Sequence, residues 1–171
     1  MIYTWPYFIY ILKKVNPINR KMFIVKFAIY TVIIYLILSP LENYLVEVIT
    51  YHSYLLFKAF TVVSYSENWI YLDRLNIEVI NACTGIIFIS IYLALILSLS
   101  KNIREVLIGI PLILIIYFGN LLRILLTGIL GMVFINEAYL VHEIVGYLMV
   151  PLTSVITSLI YLKILSKMRD S

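Results

Sequence analysis

Long uninterrupted apolar runs, more than alternation or a one-sided stripe, set the pattern of this chain. Residues 22–39 carry one charge, Lys26, a turn into the run, where a lysine can snorkel to lipid headgroups. Pro40 closes that run. In residues 41–64 the character changes. Leu41, Leu45, Val48, Leu55, Leu56, Ala59 and Val63 recur at helical spacing, while Glu42, Glu47, His52 and Lys58 interrupt the rest. That pattern predicts an amphipathic helix, either lying at the interface or spanning with one face against protein. Residues 65–78 are the most polar stretch and read as an exposed loop or short hairpin. Residues 82–100 are uncharged and of spanning length.

Residues 105–135 would reach ~46 Å as one straight helix, more than a ~30 Å hydrocarbon core. They must tilt, project or break, and Gly119, Gly128 and Gly131 mark the expected breaks. Residues 142–162 span again, with Pro151 as a kink. Ahead of all these, residues 2–12 form an apolar, aromatic segment followed by Lys13 and Lys14, the reverse of a secretory signal, and predict an interfacial helix or short anchor. The pattern therefore predicts an all-α integral membrane protein, a bundle of four transmembrane helices plus an amphipathic or fifth helix. It is one membrane domain over residues 1–171: anchor and first span in 1–40, amphipathic helix and outer loop in 41–80, and the chemistry-bearing helices in 81–165.

Composition narrows the possible chemistry. Only 13% of the 171 residues are charged, against about 25% in an ordinary soluble domain, so little polar material is available to build a site. No Gly-rich phosphate loop or dinucleotide fingerprint occurs, and no cofactor is expected. The net charge of +4 raises the question of a nucleic-acid partner. Its distribution argues against one, because the basic residues flank apolar runs instead of forming a patch. They mark sidedness instead. Ten of the 13 fall on one side if residues 41–64 do not cross: Lys13, Lys14, Arg20, Lys21, Lys26, Lys101, Arg104, Lys163, Lys167 and Arg169. Glu42, Glu47, Glu67, Asp73, Glu78, Glu137 and Glu143 then fall on the other. The expectation is a multi-pass cell-membrane protein with both termini cytoplasmic.

With that topology three chemically able residues reach the outer leaflet on separate helices. Cys83, the single cysteine, stands at a predicted helix start beside Thr84 and Gly85, which leave its sulfur open. Arg123 lies eighteen residues beyond Glu105, ~27 Å along a helix. An ionisable residue at membrane depth is a functional candidate by default. Asn120 and Thr127 share its face at i−3 and i+4. His142 stands at the predicted start of the last helix. A thiol nucleophile, a fixed cation and a base together suggest acyl transfer, with Cys83 attacking a carbonyl, Arg123 holding the oxyanion and His142 moving the proton.

Competing signatures fail. His142-Glu143 opens like a zinc-protease motif, but Gly146 occupies the second ligand position, and no metal site is expected. His52 reads as an interfacial side chain. A different class stays open: a non-enzymatic membrane assembly or transport subunit binding an anionic group through Arg123.

Three ordered segments carry a family likeness. Asn81-Ala82-Cys83-Thr84-Gly85-Ile86 resembles the cysteine motif of the exosortase/archaeosortase family. Gly109-Ile110-Pro111 with Asn120-Leu121-Leu122-Arg123-Ile124 is similar to its arginine motif, and His142-Glu143-Ile144-Val145-Gly146 to its third motif. The likeness covers roughly residues 78–160. It implies a membrane thiol protease and transpeptidase with sortase-like chemistry. The implied substrates are secreted proteins with a C-terminal sorting signal, cleaved at the outer face and passed to a lipid or surface acceptor. Cys83, Arg123 and His142 would be catalytic, with Asn120, Thr84 and Gly85 supporting them or the substrate. The chain departs from many relatives in being short ahead of the cysteine.

Overall fold

The computed structural model describes residues 20–170, so the segment 2–12, Lys13 and Lys14 lie outside the described residues. Helix α1 (Arg20–Leu38) is apolar on every side, as a lipid-facing helix must be. It does not stop at Pro40. The chain tightens into a 3₁₀ turn at Ser39–Leu41 and continues as α2 (Glu42–Lys58), with Leu38, Leu41 and Glu42 all right-handed helical. Proline sits in the first positions of the tight turn, where its missing N–H does least harm.

Helix α2 buries Val46, Ile49, Thr50, Ser53 and Phe57. This is a different face from the one that apolar spacing predicts: Leu41, Leu55 and Ala59 are exposed. The physical reason is that two members of the true stripe are small and polar. Thr50 returns its hydroxyl to the Val46 carbonyl at 2.7 Å and so packs as an apolar residue would. Helix α2 packs that face on α5 (Ile113–Val133) and on a small sheet, so it neither lies flat nor crosses alone.

The polar stretch after α2 is more ordered than the expected loop or hairpin. It forms a three-stranded antiparallel meander, β1 (Val63–Ser66), β2 (Trp69–Leu72) and β3 (Asn76–Glu78). Ser66 pairs with Trp69 across a two-residue turn, and Ile70 pairs with Ile77. Ile70, Leu72 and the following Val79 face inward, and alternate residues such as Tyr71 face out.

The expected span at 82–100 is shortened. Residues Asn81–Cys83 form a 3₁₀ turn, Gly85 turns left-handed at φ 72°, and α3 (Ile86–Leu99) is 14 residues, ~21 Å of helix. Cys83 therefore precedes the helix instead of opening it. The next run tightens into a 3₁₀ turn at Ile110–Leu112, around Pro111, between α4 (Ile103–Gly109) and α5, and stays one helical stretch. Gly119, Gly128 and Gly131 are not breaks; all three lie inside α5. The last helix, α6 (Ala138–Asp170), holds Pro151 internally and begins one turn before His142. Three helical stretches are long and apolar enough to cross a membrane, Lys21–Lys58, Ile103–Val133 and Ile135–Asp170, and α3 is a shorter apolar partner.

Helix α1 packs along α3, and α5 along α6. Two cores result. One joins α2, the sheet, Cys83 and the middle of α5 through Phe57, Ile70, Val79, Leu121 and Ile124. The other lies toward the far ends of α3 and α6, around Tyr92, Ile96, Ile116, Tyr161 and Leu165.

Candidate active site

The Cys83 turn is locked by its own backbone. Cys83 N–H donates to the Ile80 carbonyl at 2.7 Å and Thr84 N–H to the Asn81 carbonyl at 3.0 Å. The Thr84 hydroxyl donates to the same Asn81 carbonyl at 2.8 Å and accepts from Ile86 N–H at 3.4 Å. Gly85 then reverses the chain in a conformation that costs a side-chain-bearing residue about 1 kcal/mol or more. Thr84 and Gly85 thus shape the cysteine turn through the backbone, and Thr84 is itself buried.

Asn120 ties this turn to α5. Its Nδ2 donates to the Cys83 carbonyl at 2.6 Å, while its Oδ1 faces Arg123 Nη1 at 3.5 Å. Arg123 Nη2 points at Cys83 Sγ, 3.9 Å away. Both Cys83 and Arg123 are buried, and the guanidinium has no carboxylate partner among the described residues. A buried cation without a counter-ion is costly unless its hydrogen bonds are used. Here the nearest polar groups are a side-chain amide and a thiol.

The three residues singled out from the sequence meet at one place. Cys83, Arg123 and His142 line a single cavity of about 30 Å³ together with Ile77, Glu78, Val79, Ile124 and Thr127. On the α6 side, Arg123 and His142 also line a groove of about 340 Å³ with Phe88, Tyr139, Glu143, Gly146, Tyr147, Val150 and Pro151. Arg123 and His142 therefore belong both to the small cavity holding the sulfur and to the larger groove. Gly146 lies flat against the guanidinium, where even an added Cβ would be 3.7 Å from Arg123 Nε. His142 is exposed at this boundary. His52 lies apart from it, bonded to the Tyr117 hydroxyl at 2.5 Å.

Sequence pattern alone misses the contribution of the sheet. Ile77, Glu78 and Val79 come from the stretch that looks most like a solvent loop, and no periodicity in three residues could place them over a cysteine. Another charged pair is also hidden in the sequence. Arg169, which reads as part of a basic tail, makes two bonds to Glu105 at 2.7 and 3.0 Å and one to the Leu99 carbonyl at 2.8 Å.

Fold and site together define a polytopic helical membrane protein with a cysteine–arginine pair buried in its bundle. The chain belongs to the exosortase/archaeosortase family: the model of the transmembrane exosortases matches residues 10–159. It is 36% identical over 159 residues to a protein of Methanocaldococcus jannaschii described as a probable archaeosortase E, covering 92% of this chain and 86% of that one. No solved structure matches the chain at a significant level.

Proposed function

We propose that this protein is a membrane-embedded thiol peptidase and transpeptidase that removes the C-terminal sorting signal of secreted proteins at the outer face and transfers them to a lipid or surface acceptor. The observation that carries the reading is the 3.9 Å approach of the buried Arg123 guanidinium to the buried Cys83 Sγ at a small cavity. Family membership supports the same chemistry.

In this reading Cys83 Sγ attacks the scissile carbonyl, and the electron pair of the C=O bond moves onto oxygen. Arg123 supplies the positive charge against which the sulfur anion, and then the oxyanion, is held. His142, on the wall of the same chamber, takes the thiol proton and returns it to the departing amine. Collapse leaves an acyl thioester on Cys83, which an acceptor nucleophile then resolves. Asn120 is a positioning residue, fixing the cysteine turn and the guanidinium from one amide. The groove along α6 is the approach for an apolar peptide segment, because Phe88, Tyr147, Val150 and Pro151 line it. The one-sided distribution of basic residues supports cytoplasmic termini and an outward site.

Replacing Cys83 by Ala in cells should abolish processing of proteins that carry such a signal, while the variant is still made and inserted. Processing that continues with Cys83→Ala would sink the enzyme reading and favour a non-enzymatic anion-binding subunit.

A further inference from the structure

Among the described residues, five buried side-chain polar atoms lack a hydrogen-bond partner, and two of them belong to one cavity. These are Arg123 Nε and Thr127 Oγ1, both on residues that line the Cys83 chamber. Arg123 is 9% exposed and Thr127 8%, so solvent does not satisfy either. The other three, on Ser53, Ser90 and Ser98, are not at this chamber.

The behaviour of Thr127 is unusual within this molecule. A helical threonine ordinarily returns its hydroxyl to a carbonyl one turn back. Thr31, Thr50 and Thr157 all do so, at 2.8, 2.7 and 2.7 Å. Thr127 does not, although it too lies within a long α-helix. Leaving a buried donor unmade costs about 1–3 kcal/mol. Two such donors lie one helical turn apart, on residues that line the same space of about 30 Å³ beside a thiol, and they call for an acceptor that arrives with the substrate. An arginine N–H can only donate, and this threonine hydroxyl is free to donate. The acceptor therefore carries lone pairs or negative charge and is about the size of one oxygen atom. The carboxylate of Glu78, which also lines the chamber, accepts from Asn68 Nδ2 at 3.2 Å through Oε1 and forms no hydrogen bond to Arg123 or Thr127.

We infer that this chamber seats the oxygen of the carbonyl under attack, and that Thr127 Oγ1–H is its second donor beside Arg123 Nε–H. The inference rests on the thiol-peptidase reading and adds to it the seat of the oxygen and a catalytic residue. As Cys83 Sγ bonds to the carbonyl carbon, the C=O pair moves to oxygen and is held between the two donors. When the pair returns, the carbon–leaving-group bond breaks and the leaving group departs. Ile77, Val79 and Ile124 make one part of the chamber wall apolar, which strengthens both bonds.

The test separates reactions that form an oxyanion from those that do not. Purified full-length protein in detergent is treated with 4-nitrophenyl acetate, which acylates a thiol through a tetrahedral oxyanion. In parallel it is treated with methyl methanethiosulfonate, which exchanges at sulfur with no carbonyl involved. Modification of Cys83, the single cysteine, is followed by mass. Thr127→Val should slow acylation on the order of a hundredfold, the effect of removing one oxyanion donor, and leave thiosulfonate exchange within about twofold. Thr127→Ser, which keeps the hydroxyl, should restore most of the acylation rate. The Thr127→Val melting temperature should stay level or rise, because a buried unpaired hydroxyl has been removed. Equal slowing of both reagents, or no slowing of acylation, overturns the assignment of Thr127. Absence of Cys83-dependent acylation in the unsubstituted protein overturns the peptidase reading itself.

Discussion

Arg123 uses its three nitrogens differently: Nη1 faces Asn120 Oδ1, Nη2 faces Cys83 Sγ, and Nε has no hydrogen-bond partner. Only a planar fork can address three directions at once. Arg123→Lys keeps the charge but offers a single nitrogen on a flexible stem. It should lower the rate of signal processing by about a hundredfold or more while insertion is unchanged. Retention of near-normal processing would mean that charge alone suffices and that the fork geometry is incidental. Cys83, Arg123 and His142 stand out in the sequence as candidates because an apolar chain leaves few polar residues to weigh. Thr127 could be noticed only as a neighbour of Arg123. What distinguishes it is a hydrogen bond that it fails to make, and no spacing rule shows that.

Helix α5 shows how an element can be recognised and still be misread. Its length and apolarity predict a membrane helix, and its glycines look like places for it to bend. The helix instead tightens into a 3₁₀ turn around Pro111, where the ring and the missing N–H fall in the first positions of the turn. The glycines are points of close contact. A Cβ on Gly128 would come within 2.3 Å of the Phe57 ring, and one on Gly119 within 2.4 Å of the Thr153 side chain. Phe57 is fully buried and cannot retreat. Gly128→Ala should therefore cost about 1–3 kcal/mol, seen as a lower melting temperature in detergent. Gly146→Ala on α6, whose Cβ would meet Arg123 at an ordinary 3.7 Å, should change stability by less than about 0.5 kcal/mol. If the two variants melt alike, close packing on α5 is not what holds α2 and the sheet in place. The α2 stripe was misread for a related reason: Thr50 and Ser53 are polar by type but packed by position.

Across the whole molecule, the cysteine chamber and the Glu105–Arg169 pair lie at opposite ends of α3, which runs from the Cys83 turn to Leu99. The pair is nearly closed to solvent, with 4% of the Glu105 side chain and 15% of that of Arg169 exposed. Glu105 also accepts from Lys101 N–H at 2.6 Å. Arg169→Ala leaves a buried carboxylate without its partner and should cost about 3 kcal/mol. Glu105→Gln combined with Arg169→Met should recover part of that loss, since no charge is then left unpaired. Thermal unfolding of the two variants decides it; equal loss in both would mean the pair acts by packing alone. By itself the sequence determined that the chain is a helical membrane protein and where its long apolar runs lie, and it singled out the few candidates for chemistry. Those follow from local quantities, hydropathy over a bilayer's thickness and the rarity of ionisable groups in apolar runs. Only the tertiary structure decided that a polar stretch becomes a sheet roofing Cys83 and that α2 prolongs α1. It also decided that a basic tail closes on Glu105, and that two residues with unpaired donors line the cavity that holds the sulfur. Each of these depends on which surfaces meet across tens of residues, and a pattern read along one strand of sequence holds no record of that.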